Sequence, residues 1–188
     1  MNNCKFYMFL DLDGVISPSN HLIQIHNKLN KYELENQRKE MFSYINFMQH
    51  YCFSYNAIQV LNDIYDSIPY NIVLTSTRRY EFSIAEWNTI FKINKIKAPI
   101  VGRTNKYSKT ENHFTWREDE IEKYITDYNL SEYPYIVIDD DVADLLNIKD
   151  HLINVNTDTG LTMNYIQLIL RLLILQGLDV TGGINNES

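Results

Sequence analysis

Apolar residues in this chain occur as short runs separated by longer stretches with helical spacing. The runs are Phe6-Tyr7-Met8-Phe9-Leu10, Asn71-Ile72-Val73-Leu74, Ala98-Pro99-Ile100-Val101, Tyr135-Ile136-Val137-Ile138 and Leu152-Ile153-Asn154-Val155. Brief apolar runs bounded by polar or turn-forming residues predict strands buried on both faces. Between them, Leu22, Ile25 and Leu29 recur on one helical face, as do Ile58, Leu61 and Ile64, and later Ile121, Tyr124 and Ile125. Ser83 to Phe91 and the segment from Gly160 through Gln176 are further predicted helices.

This alternation predicts an α/β fold, a Rossmann-like parallel sheet with helices on both faces, because parallel strands need helical crossovers. Met41, Ile45 and Met48 give one more helix before the second strand, with no strand between it and the helix of Leu22, Ile25 and Leu29. Residues 17–53 are therefore expected to form a small helical cap inserted after the first strand, with packing beside the sheet as the alternative. Without an internal repeat or linker, residues 1–180 read as a single domain and 181–188 as a frayed polar tail.

Composition narrows the setting. Among 188 residues the two cysteines, Cys4 and Cys52, lie far apart, so neither a disulfide framework nor a zinc site is expected. The first ten residues lack a basic segment followed by a long apolar core, so no secretory signal is expected. The apolar stretch from Met163 to Leu178 carries Gln167, Arg171 and Gln176 and is short for a membrane span. A cytoplasmic protein without a membrane partner follows as the expectation, and no specific protein partner is indicated.

A net charge of −7 argues against a broad basic nucleic-acid surface. Yet ten of the seventeen Lys and Arg residues fall between Arg78 and Lys123, so local charge suits a polyanion or forms a solvated basic face.

The chemistry sits where the apolar runs stop. Phe6 to Leu10 ends in Asp11-Leu12-Asp13-Gly14, two carboxylates one residue apart followed by a residue that permits a sharp turn. Such a pair can share a hard divalent cation at the carboxyl edge of a parallel sheet, the alternative being an Asp-rich turn. The second run ends in Thr75-Ser76-Thr77-Arg78-Arg79, hydroxyls and guanidinium groups able to hold phosphoryl oxygens. Arg117 opens a helix, where a cation gains nothing from the helix dipole, which favours a functional reason for it. The fourth run ends in Asp139-Asp140-Asp141, with Asp144 close behind, and adjacent carboxylates repel unless a cation or donors compensate.

Asp11-Leu12-Asp13-Gly14, then Thr75, then Arg117, then Asp139-Asp140 form an ordered set. It resembles the haloacid dehalogenase-like (HAD) phosphohydrolase superfamily, whose pattern is DxDG, a Ser or Thr, a Lys or Arg before a helix, and paired acids. The resemblance spans roughly Phe6 to Gln176. It is closest to a small subgroup with Ser-Ser-Trp-Arg-like second motifs and a closing Gly-Leu-Thr, here Gly160-Leu161-Thr162, related to HAD modules of RNA-repair proteins. Thr77-Arg78-Arg79 stands where that subgroup has Ser-Trp-Arg, which makes Arg79 the matching arginine.

The resemblance implies a HAD-like fold and a phosphatase or nucleotidase that forms an aspartyl-phosphate. Asp11 would be the nucleophile, Asp13 the general acid and base, and Thr75 and Arg117 the groups on the transferring phosphoryl. Lys109 competes with Arg117 for the third position. Mg²⁺ would be held by Asp11, the Asp13 backbone carbonyl and Asp140, with Asp139 behind them or exchanging roles with Asp140. Asp144 would orient Arg117 or water. Ser76, Arg79 and Lys109 are the expected substrate contacts. The partner would be a small phosphorylated substrate or a nucleic-acid end. The different-class alternative is a HAD-fold binding or regulatory module with little turnover.

Overall fold

The computed structural model describes residues 4–36, 48, 50–107, 109 and 116–180. Five strands lie side by side and parallel: β1 (Phe6–Leu10), β2 (Tyr70–Leu74), β3 (Ile100–Arg103), β4 (Tyr135–Asp139) and β5 (Leu152–Asn154). Their order is β3-β2-β1-β4-β5, so the first strand is central. The helices are α1 (Ser19–Asn36), α2 (Tyr55–Ser67), α3 (Ile84–Ile93), α4 (Arg117–Asp127) and α5 (Ile166–Leu175). The predicted Rossmann-like α/β architecture is the observed one.

Alternation along β1 divides the core. Phe6, Met8 and Leu10 join Ile72, Leu74, Ile136 and Ile138 on one face, covered by Leu61 of α2, Trp87 of α3 and Leu173 of α5. Phe9, Val73 and Val137 point the other way, against Ile121 and Tyr124 of α4. Both faces of the central strands are thus out of water, which is why these strands read as continuous apolar runs.

The helix starts follow local chemistry. Ser54 caps α2 through the Ala57 N–H, and Ser83 forms a reciprocal capping box with Glu86 at α3. β3 begins at Ile100, two residues later than expected. Pro99 has no N–H to donate, though its carbonyl accepts from the Ile72 N–H at 2.9 Å. At this edge the Asn88 side chain accepts from the Ile100 N–H and donates to the Ile100 carbonyl, at 2.9 and 2.8 Å.

Within the expected cap, α1 supplies the described helix. The helix expected around Met41 to Met48 lies outside the described residues except at Met48, which is buried. The expected tail, 181–188, also lies outside them. No helix among the described residues is long and apolar enough to cross a membrane.

Candidate active site

Strand register brings the polar residues together. Leu10 of β1 pairs with Leu74 of β2 and with Ile138 of β4. The next residues, Asp11, Thr75 and Asp139, therefore emerge side by side at the carboxyl edge of three adjacent strands. Two backbone bonds continue the ladder there: the Asp11 N–H donates to Ile138 O, and the Thr75 N–H to Leu10 O, both at 3.0 Å.

Asp11, Asp139 and Asp140 present carboxylate oxygens that all lie within 4.8 Å of one another. Burial raises the Asp11 pKa to about 7, with the Asp139 charge adding to the effect and the Arg117 charge opposing it. Burial also raises the Asp139 pKa, against the pull of Arg117. The two carboxylates differ in their commitments. Asp139 accepts from the Asp141 N–H at 3.0 Å and from Arg117, whereas no protein donor to the Asp140 side chain is found among the described residues.

Gly14 lets this cluster close up. Its φ is +70°, and a Cβ there would collide with the Asp140 carboxylate. The turn that follows is held by the Ile16 and Ser17 N–H groups on Leu12 O and by the Leu161 N–H on Val15 O. Gly160-Leu161-Thr162 is thus a buttress beneath the Asp13 loop.

Arg117, the first residue of α4, reaches back to the acids. One Nη pairs with Asp139 and lies 3.9 Å from Asp11. Burial disfavours its charge, but Asp139 and Asp11 more than offset that, and its pKa is raised. Trp116 offers no side-chain cap to this helix; instead Asp144 accepts from the Arg117 N–H at 3.0 Å, and the Asp144 carbonyl from the Glu118 N–H at 3.1 Å. Asp144 therefore fixes the backbone from which Arg117 extends.

Thr75 is fully buried, and its hydroxyl has no partner among the described residues. A buried hydroxyl without a partner costs free energy, and such a group at a ligand-binding sheet edge is ready for an external acceptor. The Asp13 carboxylate, about half exposed, accepts from Arg78 Nη1 at 2.9 Å.

With this geometry in place, comparison with known families is decisive: the model described as "HAD domain in Swiss Army Knife RNA repair proteins" matches residues 7–166. The chain belongs to this HAD family. No curated protein matches it. Among solved structures, a haloacid dehalogenase-like family hydrolase from Streptococcus pneumoniae is similar at 14% identity, covering 90% of this chain and 92% of that one, with a TM-score of 0.44.

In this HAD domain the expected substrate contacts stand differently from the acids. Arg79 is buried, donating to the carbonyls of Thr104 (2.8 Å), Thr75 (2.8 Å) and Ser76 (2.9 Å) and to Glu120 at 2.7 Å. It braces the β2 and β3 loops, with its guanidinium engaged by these protein acceptors. Ser76 is buried as well, its hydroxyl accepting from the Arg78 N–H at 3.3 Å to cap the turn of Thr77–Tyr80. Lys109 is exposed and pairs with Asp119 at 3.1 Å and with Glu122, leaving Arg117 as the cation beside Asp11.

The residue that sequence reasoning passed over is Arg78. A short turn separates the directions of two adjacent arginines, and the motif match drew attention to Arg79. The arginine that reaches Asp13 lies one position earlier.

Proposed function

We propose that this HAD domain is a Mg²⁺-dependent phosphohydrolase that cleaves a phosphate monoester through a covalent phosphoryl-Asp11. The observation that carries the reading is the convergence of the Asp11, Asp139 and Asp140 carboxylates within 4.8 Å, with Arg117 against two of them. A scaffold gains nothing from crowding three acids at a sheet edge, because each raises the cost of ionising the next.

The donor set fits a hard divalent cation: all-oxygen, compact, and including the Asp140 carboxylate, which no protein donor engages among the described residues. Asp11, Asp140 and the Asp13 backbone carbonyl would hold the ion, with Asp139 tied to Arg117 behind them. Bound there, Mg²⁺ supplies positive charge that keeps Asp11 ionised and polarises the phosphoryl group.

The protein's own groups account for the rest. An Asp11 oxygen attacks phosphorus while the bond to the leaving oxygen breaks, and Asp13 delivers a proton to that oxygen. Asp13 then takes a proton from water as the water oxygen attacks phosphorus and the Asp11–phosphorus bond breaks, which returns both carboxylates to their starting state. The Thr75 hydroxyl and the Arg117 guanidinium hold phosphoryl oxygens and counter the charge that builds on them.

Membership of a family described from RNA-repair proteins supports a phosphorylated nucleotide or nucleic-acid end as substrate. A screen with Mg²⁺ would compare p-nitrophenyl phosphate, nucleoside monophosphates and 3′-phosphorylated oligonucleotides. Phosphate release that stops on chelation and returns with Mg²⁺ is the expected result. Failure to turn over any ester with any divalent metal would contradict the reading and leave the binding module.

A further inference from the structure

Asp13 carries the proton in this scheme, yet about half of its side chain is exposed. Its backbone is held by a bridge to Ser17 and by the Gly14 N–H on Ser17 O at 3.1 Å. Among the described residues, Arg78 is the side chain that hydrogen-bonds its carboxylate. A free carboxylate would sample several rotamers, and proton transfer requires one.

Arg78 is itself well anchored. Nε donates to Glu81 at 3.2 Å, and Nη1 reaches Cys52 Sγ at 3.7 Å beyond its bond to Asp13. Nη2 lies against Met48 Sδ. Its side chain is only 16% exposed, against 47% for Asp13. Burial disfavours the cation, but the Asp13 hydrogen bond, together with Cys52 and the Asp13 charge, more than offsets this, and the Arg78 pKa is raised. A fork with fixed N–H directions, gripped by the end of the 17–53 insertion on one side and by Glu81 on the other, imposes direction on the acid it bonds.

Building on the phosphohydrolase reading, we propose that Arg78 is a positioning residue that fixes the Asp13 carboxylate in the direction its proton transfers require. It thereby couples the insertion to the chemistry through Met48 and Cys52.

The test uses the full chain with Mg²⁺ and p-nitrophenyl phosphate, comparing wild type, Arg78→Ala, Arg78→Lys, Asp13→Asn and the Arg78→Ala/Asp13→Asn pair. Arg78→Ala should lower kcat by about tenfold or more with KM changed by less than about threefold, because a positioning group acts on the step and not on binding. Arg78→Lys should recover part of kcat. In the Asp13→Asn background the same change should cost less than about threefold, since the group being positioned is already disabled. Should the alanine variant fail to fold, Arg78→Met keeps the apolar stem against Met48 and Cys52 and replaces it in the cycle.

A raised KM at unchanged kcat, losses that multiply in the double variant, or a lower melting temperature with unchanged kcat would each overturn the proposal while the phosphatase reading stands. A wild-type protein that hydrolyses no phosphate ester would overturn both.

Discussion

One Arg117 guanidinium nitrogen lies 3.9 Å from an Asp11 oxygen while pairing with fully buried Asp139, so a single cation serves two carboxylates on neighbouring strands. Removing one partner from such a buried group leaves uncompensated charge, at a cost of about 3 kcal/mol or more. Arg117→Ala is expected to lose at least about a hundredfold in kcat as well, since it also strips the phosphoryl group of a donor. Arg117→Lys should retain more of both. Denaturant unfolding and steady-state kinetics on the two variants check this; an alanine variant with wild-type stability and turnover would contradict the pairing.

Thr75 separates stability from activity. Its hydroxyl is buried without a partner among the described residues, so Thr75→Val, of the same shape, should change stability by less than about 1 kcal/mol. Turnover should fall by about ten- to a hundredfold if the hydroxyl's partner is a phosphoryl oxygen. A stability loss without a kinetic one would assign the hydroxyl to the fold.

Asp11 gives a pH signature. In the unfolded chain it ionises near pH ~4, as aspartates do. In the fold burial and Asp139 raise its pKa to about 7. Between those values the folded state holds a proton that the unfolded state has released. The Asp11 contribution to metal-free stability is therefore present below the lower value, is lost as pH rises through the window, and is flat above it. The proposed Mg²⁺ would bind the ionised form, so its affinity should rise with pH across the same window. Unfolding curves between pH 4.5 and 8, with chelator and with Mg²⁺, check both signs.

Gly14 and Gly102 make a controlled pair. A Cβ at Gly14 would meet the Asp140 carboxylate in a left-handed backbone, while one at Gly102 would meet the Tyr124 hydroxyl away from the acids. Gly14→Ala should weaken the stabilisation that the proposed Mg²⁺ would confer, measured as the shift in melting temperature. Gly102→Ala should lower the melting temperature yet keep that shift.

Much of this was legible in the chain because burial leaves a sharp trace at strand ends. Phe6 to Leu10 and Tyr135 to Ile138 are apolar on both faces, so Asp11 and Asp139 announce the edge where each strand leaves the core. Arg117 was legible as a cation placed against the helix dipole. Arg78 and Arg79 were not told apart, because side-chain direction in a short turn depends on which carbonyls lie nearby. The carbonyls that hold Arg79 belong to Thr75, Ser76 and Thr104, and Thr104 comes from a different strand loop. The start of β3 was misplaced by two residues because Pro99 keeps the apolar pattern while lacking the donor a ladder needs.

The central claim is that Asp11 carries the phosphoryl group during turnover. Rapid acid quenching of the Mg²⁺-loaded protein during p-nitrophenyl phosphate hydrolysis, followed by peptide mass spectrometry, tests it directly. The account predicts one phosphoryl group on the peptide containing Asp11, absent from Asp11→Asn, which should be folded and inactive. Phosphate release with an adduct on another residue, or continued turnover by Asp11→Asn, would contradict it.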